Sequence, residues 1–175
     1  MRKIIIATII LCSMFLTGCG SADVYDKLYL KTLYITENSD CSARMEFFGD
    51  NSQDITAHGS SFEKVRENAR ISGGKDVFMG HCEVIVLDSV KDPAKVLTKL
   101  LNEWRIPPSC YVVCGKDLTT SKYSINVLTI KSAVEQGKAP ECDMVTVLGE
   151  LLGDKKSASV AEFTADGGFR LVTVS

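Results

Sequence analysis

Hydrophobic and polar positions along the chain fall into three patterns, and each predicts a different kind of element. The first is a nearly unbroken apolar run from Ile4 to Leu16, directly behind Met1-Arg2-Lys3. The second is strand-like. Lys27 to Thr36 (KLYLKTLYIT) alternates polar and apolar residues, with Leu28, Leu30 and Leu33 breaking strict period two. Ser42 to Phe48 (SARMEFF) follows across the turn-rich Glu37-Asn38-Ser39-Asp40, and the β-branched and aromatic content of the pair predicts a hairpin. Asp76 to Asp88 (DVFMGHCEVIVLD) is the most β-rich run, centred on Glu83 to Leu87. A short apolar run without alternation suits a central strand covered on both faces. Ser109 to Gly115 (SCYVVCG) predicts another strand, and Ser157–Thr164 and Phe169–Val174 flank the hairpin turn Ala165-Asp166-Gly167-Gly168.

The third pattern is helical. Ser60-Ser61-Phe62-Glu63 opens a helix, with Ser60 and Glu63 spaced as a capping box in which each side chain satisfies an orphan N–H. Phe62, Val65, Ala69 and Ile71 form its inner stripe, Lys64, Arg66, Glu67 and Arg70 face water, and Ser72-Gly73-Gly74 ends it. Asp92-Pro93 supplies an N-cap acid and a first-turn proline. Val96, Leu97, Leu100, Leu101 and Trp104 then recur at helical spacing until Pro107-Pro108 stops the helix. A third helix is expected over the second half of 116–137, ending at Gly137. A fourth spans Asp143–Leu152 with Val147, Leu148, Leu151 and Leu152 inward. Gly49 to Gly59 is polar and rich in breakers, so it reads as a loop. The order β-β-α-β-α-β-α-α-β-β predicts an α+β fold, a mixed sheet with packed helices in a single domain. No internal repeat and no interdomain linker interrupts it.

The N-terminal run is too short for a bilayer-crossing helix, which needs ~20 apolar residues. A charged start, a short apolar core and small residues at its end describe a secretory signal peptide over 1–18. Leu16-Thr17-Gly18-Cys19 resembles the bacterial lipobox, in which the cysteine thiol receives a diacylglycerol and becomes the mature N-terminus. Residues 19–26 then form a short polar tether, and 27–175 an outward-facing domain held on the extracytoplasmic side of a bacterial membrane. Two acyl chains anchor stably where one binds reversibly. The expected partner at this end is therefore the membrane itself, through diacylglycerol on Cys19.

Charge narrows the function classes. The whole chain carries 20 basic and 22 acidic residues. Loss of the signal peptide removes Arg2 and Lys3, leaving 18 against 22. A weakly acidic domain has no basic stripe for nucleic acid, and it gains nothing from anionic headgroups. At 45% hydrophobic and 24% charged, the composition is that of an ordinary folded protein.

Seven cysteines stand out. Cys12 leaves with the signal peptide and Cys19 takes lipid, so Cys41, Cys82, Cys110, Cys114 and Cys142 remain. An odd number cannot all pair within one chain. Cys110 and Cys114 on one strand lie about 13 Å apart, at four rises of ~3.3 Å, beyond the ~7 Å reach of a disulfide. They read as buried thiols, and no metal-ligand spacing accompanies them. His81 and Cys82 are strand neighbours and point to opposite faces, so they form no dyad with each other. Nothing in the sequence brings either to His58. Gly73-Gly74-Lys75 lacks the spacing and following helix of a phosphate loop, and neither a G-x-S-x-G elbow nor an H-E-x-x-H helix is present. A non-enzymatic chain without cofactor or metal is expected.

The central third carries a family resemblance. Gly74-Lys75-Asp76-Val77-Phe78-Met79-Gly80-His81, followed by the apolar run to Leu87, resembles a segment of the Ger(x)C spore germination lipoproteins that reads roughly G-K-x-x-F-x-G-H before a hydrophobic strand. The leucine-rich helix, Glu103-Trp104-Arg105-Ile106 and the strand with Tyr111-Val112-Val113 continue the likeness. It covers the mature chain as that family's N-terminal domain only. After the lipid cysteine, Gly20-Ser21-Ala22-Asp23 stands where family members usually carry a Trp-Asp-x-x-Glu-like motif. The resemblance implies the C subunit of a germinant receptor, a tethered accessory protein working with integral-membrane A and B subunits in the spore inner membrane. It makes His81, inside the motif, the best candidate for a functional surface residue. A stand-alone lipoprotein that binds a small molecule or a cell-wall component is the alternative.

Overall fold

Among the described residues, eight strands build one mixed sheet in the order β3-β2-β1-β5-β6-β7-β8, with the short β4 also paired to β1. The strands are β1 (Lys27–Glu37), β2 (Cys41–Phe47), β3 (Ile55–Gly59), β4 (Asp76–Phe78), β5 (Val84–Asp88), β6 (Tyr111–Gly115), β7 (Ala158–Phe163) and β8 (Phe169–Val174). The helices are α1 (Phe62–Gly73), α2 (Pro93–Asn102), α3 (Val127–Glu135) and α4 (Met144–Leu152). The computed structural model describes residues 27–38, 40–49, 53–116, 118, 123–164 and 168–175. The expected signal peptide, Cys19, the tether, and Ala165, Asp166 and Gly167 of the last turn lie outside the described residues.

The strands β1, β5, β6 and β7 run parallel to one another, and antiparallel pairs extend the sheet at both ends, β2 and β3 on one side and β8 on the other. Parallel pairs need long crossovers, and the helices supply them. Both faces of the centre are thereby covered, so β5 is buried along its whole length and Val112, Val113 and Cys114 of β6 are buried in succession. This is the α+β single domain that the element order predicts.

The helix ends follow their sequence signals closely. The carboxylate of Asp92 accepts from Lys95 N–H at 2.9 Å, and that of Asp143 accepts from Val145 and Thr146 N–H, each at 3.1 Å. Gly74 closes α1 in the left-handed region, φ 63°, which a glycine adopts without steric cost. Trp104, just past α2, is buried with Leu97 and Leu100 and meets Phe62 of α1 edge-on at 6.5 Å.

Several expectations need correction. The stretch 49–59 is not all loop, because Ile55–Gly59 pairs with β2 as an edge strand. An edge strand needs only one apolar face, and here Ala57 alone is fully buried. The N-cap of α1 is Ser61, whose Oγ accepts from Lys64 N–H at 3.3 Å, one residue later than the capping-box spacing suggested. Ile71 is 68% exposed and Leu152 60% exposed. Ile71 lies two residues beyond Ala69, about 200° round a helix of 3.6 residues per turn, and Met144 takes the inward position on α4 instead. The helix before Pro107-Pro108 ends at Asn102, and Arg105 at φ 58° turns the chain before the prolines are reached.

The run 76–88 is two strands rather than one. Both pair with β1, first Lys27 with Asp76 and then Thr32 with Val84. The offset grows from 76 − 27 = 49 to 84 − 32 = 52. A 3-10 turn at Met79–His81 absorbs the three extra residues.

Candidate functional site

The break in the 76–88 run is what exposes the motif residues. In an uninterrupted strand Phe78 and His81 would be committed to the sheet faces. Phe78 instead ends β4 opposite Tyr29 of β1, and the 3-10 turn that follows brings His81 back over the same two rings. The Phe78 ring lies 5.6 Å from Tyr29 edge-on, and the His81 ring lies 5.3 Å from Phe78 and 5.6 Å from Tyr29. Lys27 Nζ sits 5.8 Å from the Phe78 centroid, within cation–π reach. His81 is exposed and Phe78 is 39% exposed, so this aromatic cluster presents a face to its surroundings.

Gly80 makes the close stacking of this turn feasible. A Cβ at that position would lie 2.8 Å from Phe78 Cζ. The glycine in the motif therefore leaves room for the phenylalanine ring two residues earlier.

Beside the cluster opens a cleft of about 630 Å³ with Phe78 and Trp104 in its wall. Its charges are mixed: Lys27, Arg66 and Arg70 face Glu63, Glu67, Asp76 and Glu103. Some are paired at the rim, Lys99 with Glu63 at 2.9 Å and Arg70 with Asp76 at 3.8 Å. The Glu63 carboxyl is held down at about 2 by its hydrogen bonds to Ser61 and then to Lys99. Exposed pairs of this kind order side chains more than they stabilise the fold. Among the described residues lining the cleft there is no cysteine, serine, threonine or histidine. The cleft presents the Phe78 ring for apolar contact, with both signs of charge around it.

His58 and His81 do not come together. His58 faces Ser42 across β2–β3, and Ser42 faces Thr36 near the end of β1, whereas His81 stacks at Tyr29 near its start. The five cysteines from Cys41 to Cys142 are all buried and free. Burial pushes the Cys114 thiol up to about 12 and the Cys142 thiol up to about 11. Two of the five are in contact, since Cys110 Sγ donates to Cys82 Sγ at 3.6 Å. Among the described residues no three His, Cys, Asp or Glu side chains gather to hold a metal ion, and no helix is long and apolar enough to cross a membrane.

Sequence reasoning missed one buried polar cluster, on the sheet face opposite α1. Arg44 and Glu46 alternate on β2 and form an ion pair at 3.1 Å, both buried. Arg44 also donates to the Tyr123 carbonyl at 2.7 Å, and Ser124 Oγ donates to Glu46 at 2.8 Å. Ile125 N–H donates to Tyr34 Oη at 3.1 Å. Burial, and next the Glu46 charge, raise the Tyr34 phenol well above its ordinary value, so it stays protonated and can donate to Tyr123 O at 3.4 Å. The cluster fastens segment 123–126 to the sheet ahead of α3. The sequence signal for it is a charged pair two residues apart in a strand whose other residues are apolar except Ser42.

Comparison with models of known families, with curated protein sequences and with solved structures finds no match to this chain.

Proposed function

We propose that this protein is a lipid-anchored extracytoplasmic interaction domain of the Ger(x)C type, non-enzymatic and tethered through Cys19. It serves spore germination by contacting integral-membrane receptor subunits of the A and B kind. The observation that carries the reading is the form taken by the family-like motif. Gly74 caps α1, Asp76–Phe78 pairs with the first residues of β1, and Phe78 and His81 stack with Tyr29 on an exposed face. Lys27 stands eight residues after Cys19. Fully extended, that tether spans about 26–29 Å at ~3.3–3.6 Å per residue. On this reading the aromatic face works within a few nanometres of the membrane, where lipid tethering raises its effective concentration toward membrane-embedded partners.

Two arms test the proposal. Cys19→Ala should abolish lipid labelling and release the protein from the membrane fraction; unchanged fractionation sinks the anchor. His81→Ala and Phe78→Ala should leave the protein lipidated and folded but reduce its co-purification with the A and B subunits and slow germination of a complemented deletion strain. Wild-type germination in the deletion strain itself would reject the Ger(x)C role while leaving the anchor intact.

The cleft beside Trp104 favours a second reading, capture of a small polar molecule or a cell-wall fragment, since pockets of ~300–1,000 Å³ suit such ligands. Saturable quenching of Trp104 emission by cell-wall fragments, lost in Arg66→Ala, would select it.

A further inference from the structure

Two parallel strands, β5 and β6, are each preceded by a cysteine. Val84 stands opposite Tyr111, a register that sets Cys110 level with Glu83, so Cys82 reaches Cys110 from one position earlier, at the end of the 3-10 turn. Their sulfur atoms are 3.6 Å apart, and both side chains are almost wholly buried. No other pair among the described cysteines shows such a contact. Cys82 follows the 3-10 turn and also donates to Val84 O at 3.4 Å, so its sulfur is held toward Cys110.

We propose that Cys82 and Cys110 are a disulfide-forming pair, oxidised by thiol–disulfide exchange with a disulfide-bearing oxidoreductase or a small disulfide. Closing the bond requires the sulfurs to approach from 3.6 Å to ~2.0 Å. The N–H groups of Cys82 and Cys110 are bonded to the Met79 and Pro107 carbonyls and Cys110 O accepts from Met144 N–H, so the approach is made by rotation of the two side chains about χ1. The order of attack follows from access. Cys82 lines a shallow cleft of about 320 Å³, together with His81 and Ser109, whereas Cys110 does not line it. The Cys82 thiolate therefore attacks a sulfur of the oxidant first, forming a mixed disulfide and releasing one thiolate. The Cys110 thiolate then attacks Cys82 Sγ, the mixed disulfide breaks, and the second oxidant thiolate leaves. The two protein thiols lose two electrons, the oxidant disulfide gains them, and the two protons end on its reduced thiols. Burial, and then the hydrogen bond to Cys82, push the Cys110 thiol up, which makes the second attack the slow one.

Such a pair turns five thiols into one disulfide and three buried thiols. It would tie the turn bearing His81 to the start of β6, fixing the base of the aromatic face. An extracytoplasmic location, on the reading above, is where disulfide oxidants operate. The bond itself needs only the geometry and can be tested apart from that reading.

The test uses the full chain purified in detergent from whole-cell lysate, incubated folded with oxidised glutathione and mapped by mass spectrometry after non-reducing digestion. The expected result is a linked pair of peptides containing Cys82 and Cys110, with two hydrogens lost, reversed by dithiothreitol. A protein isolated already linked there supports the proposal equally. Cys110→Ala should instead keep glutathione on Cys82, and a variant with Cys41, Cys114 and Cys142 all changed to alanine should still form the link. Folded protein that keeps both thiols reduced overturns the proposal. So does wild-type protein that retains glutathione on Cys82, or a link from Cys110 to Cys142, whose backbone carbonyl pairs with Val112 N–H next door. Because the map locates each bond, the result is the same whether or not Cys19 carries lipid.

Discussion

The guanidinium of Arg44 sits above the ring of Tyr34, its central carbon 3.9 Å from the ring centroid. The two residues face each other across β1 and β2, in register. Tyr34 is fully buried and Arg44 nearly so. A buried charge is tolerable only when paired and hydrogen-bonded. Arg44 meets that demand with the π-face of Tyr34, the Glu46 carboxylate, the Tyr123 carbonyl, and Asp54 at 3.6 Å. Nη2 serves Glu46 and the Tyr123 carbonyl while Nη1 faces Asp54, a spread of donors that the single ammonium of a lysine could not reproduce.

Arg44→Ala should therefore be among the most damaging single changes. It strands Glu46 without its cation, and breaking a buried pair by removing one partner costs about 3–5 kcal/mol. Urea unfolding followed by circular dichroism gives the number. Replacing both charges, Arg44→Met with Glu46→Leu, should recover most of the loss, because the burden is the unpaired charge more than the missing bond. A single variant as mild as an exposed charge change would show that segment 123–126 is not held this way.

The same cluster shows where sequence stops being legible. Central strands can be read because burial on both faces leaves runs such as Val84-Ile85-Val86-Leu87, and helices α2 and α4 because Asp92 and Asp143 are local caps. Arg44 could not be interpreted, since the carbonyl it holds is 79 positions away. The Cys82–Cys110 contact is hidden for a similar reason: it depends on which strand lies beside which. Strand β3 escapes notice because an edge strand with one covered face needs few apolar residues. The motif at 74–81 is visible as residues, but its division into strand and turn is imposed by the register of β1. His81 thus stands out in the sequence, while its stacking on Tyr29 does not.

Thr32 carries the opposite defect to Arg44. It is fully buried beside the irregularity in the β1–β2 register, and its hydroxyl oxygen has no hydrogen-bond partner among the described residues. Leaving a buried hydroxyl unsatisfied costs about 1–3 kcal/mol. Thr32→Val keeps the β-branched shape and removes the polar atom, so it should stabilise the protein by about 1 kcal/mol at the low end of that range. A higher urea midpoint with unchanged slope is the expected result. A loss of stability would mean that the hydroxyl is satisfied by water.

Glu63 makes a prediction about pH. Its carboxyl is held at about 2, against an ordinary 4.5, chiefly by the Ser61 hydroxyl and then by Lys99. With the folded value depressed, the stabilisation is fully present above 4.5 and disappears as pH falls toward about 2, because the unfolded chain takes its proton first. Wild type should exceed Glu63→Gln by a small, constant margin above that window and lose the margin across it. The side chain is exposed, so the margin is also expected to shrink with salt. A difference that grows on acidification would reverse the sign and reject the assignment.

Gly80→Ala separates the aromatic face from the stability of the fold. The added methyl would come within 2.8 Å of Phe78 Cζ, the far end of a partly exposed ring that can swing aside. Gly80 does not occupy the left-handed region, so alanine fits the backbone there. Relieving the contact by moving Phe78 costs little, and the loss of glycine flexibility in the unfolded chain offsets about 0.4–1 kcal/mol of it. The urea midpoint should hardly change. The stack of Phe78 on Tyr29 and His81 should open, and the ring-current shifts of the His81 protons should move toward solvent-exposed values. If the exposed cluster is the surface that meets a membrane partner, this variant will stay folded and anchored yet bind less well, the same outcome expected of Phe78→Ala. Full partner binding together with a displaced His81 resonance would show that the stack is only a structural feature of the turn.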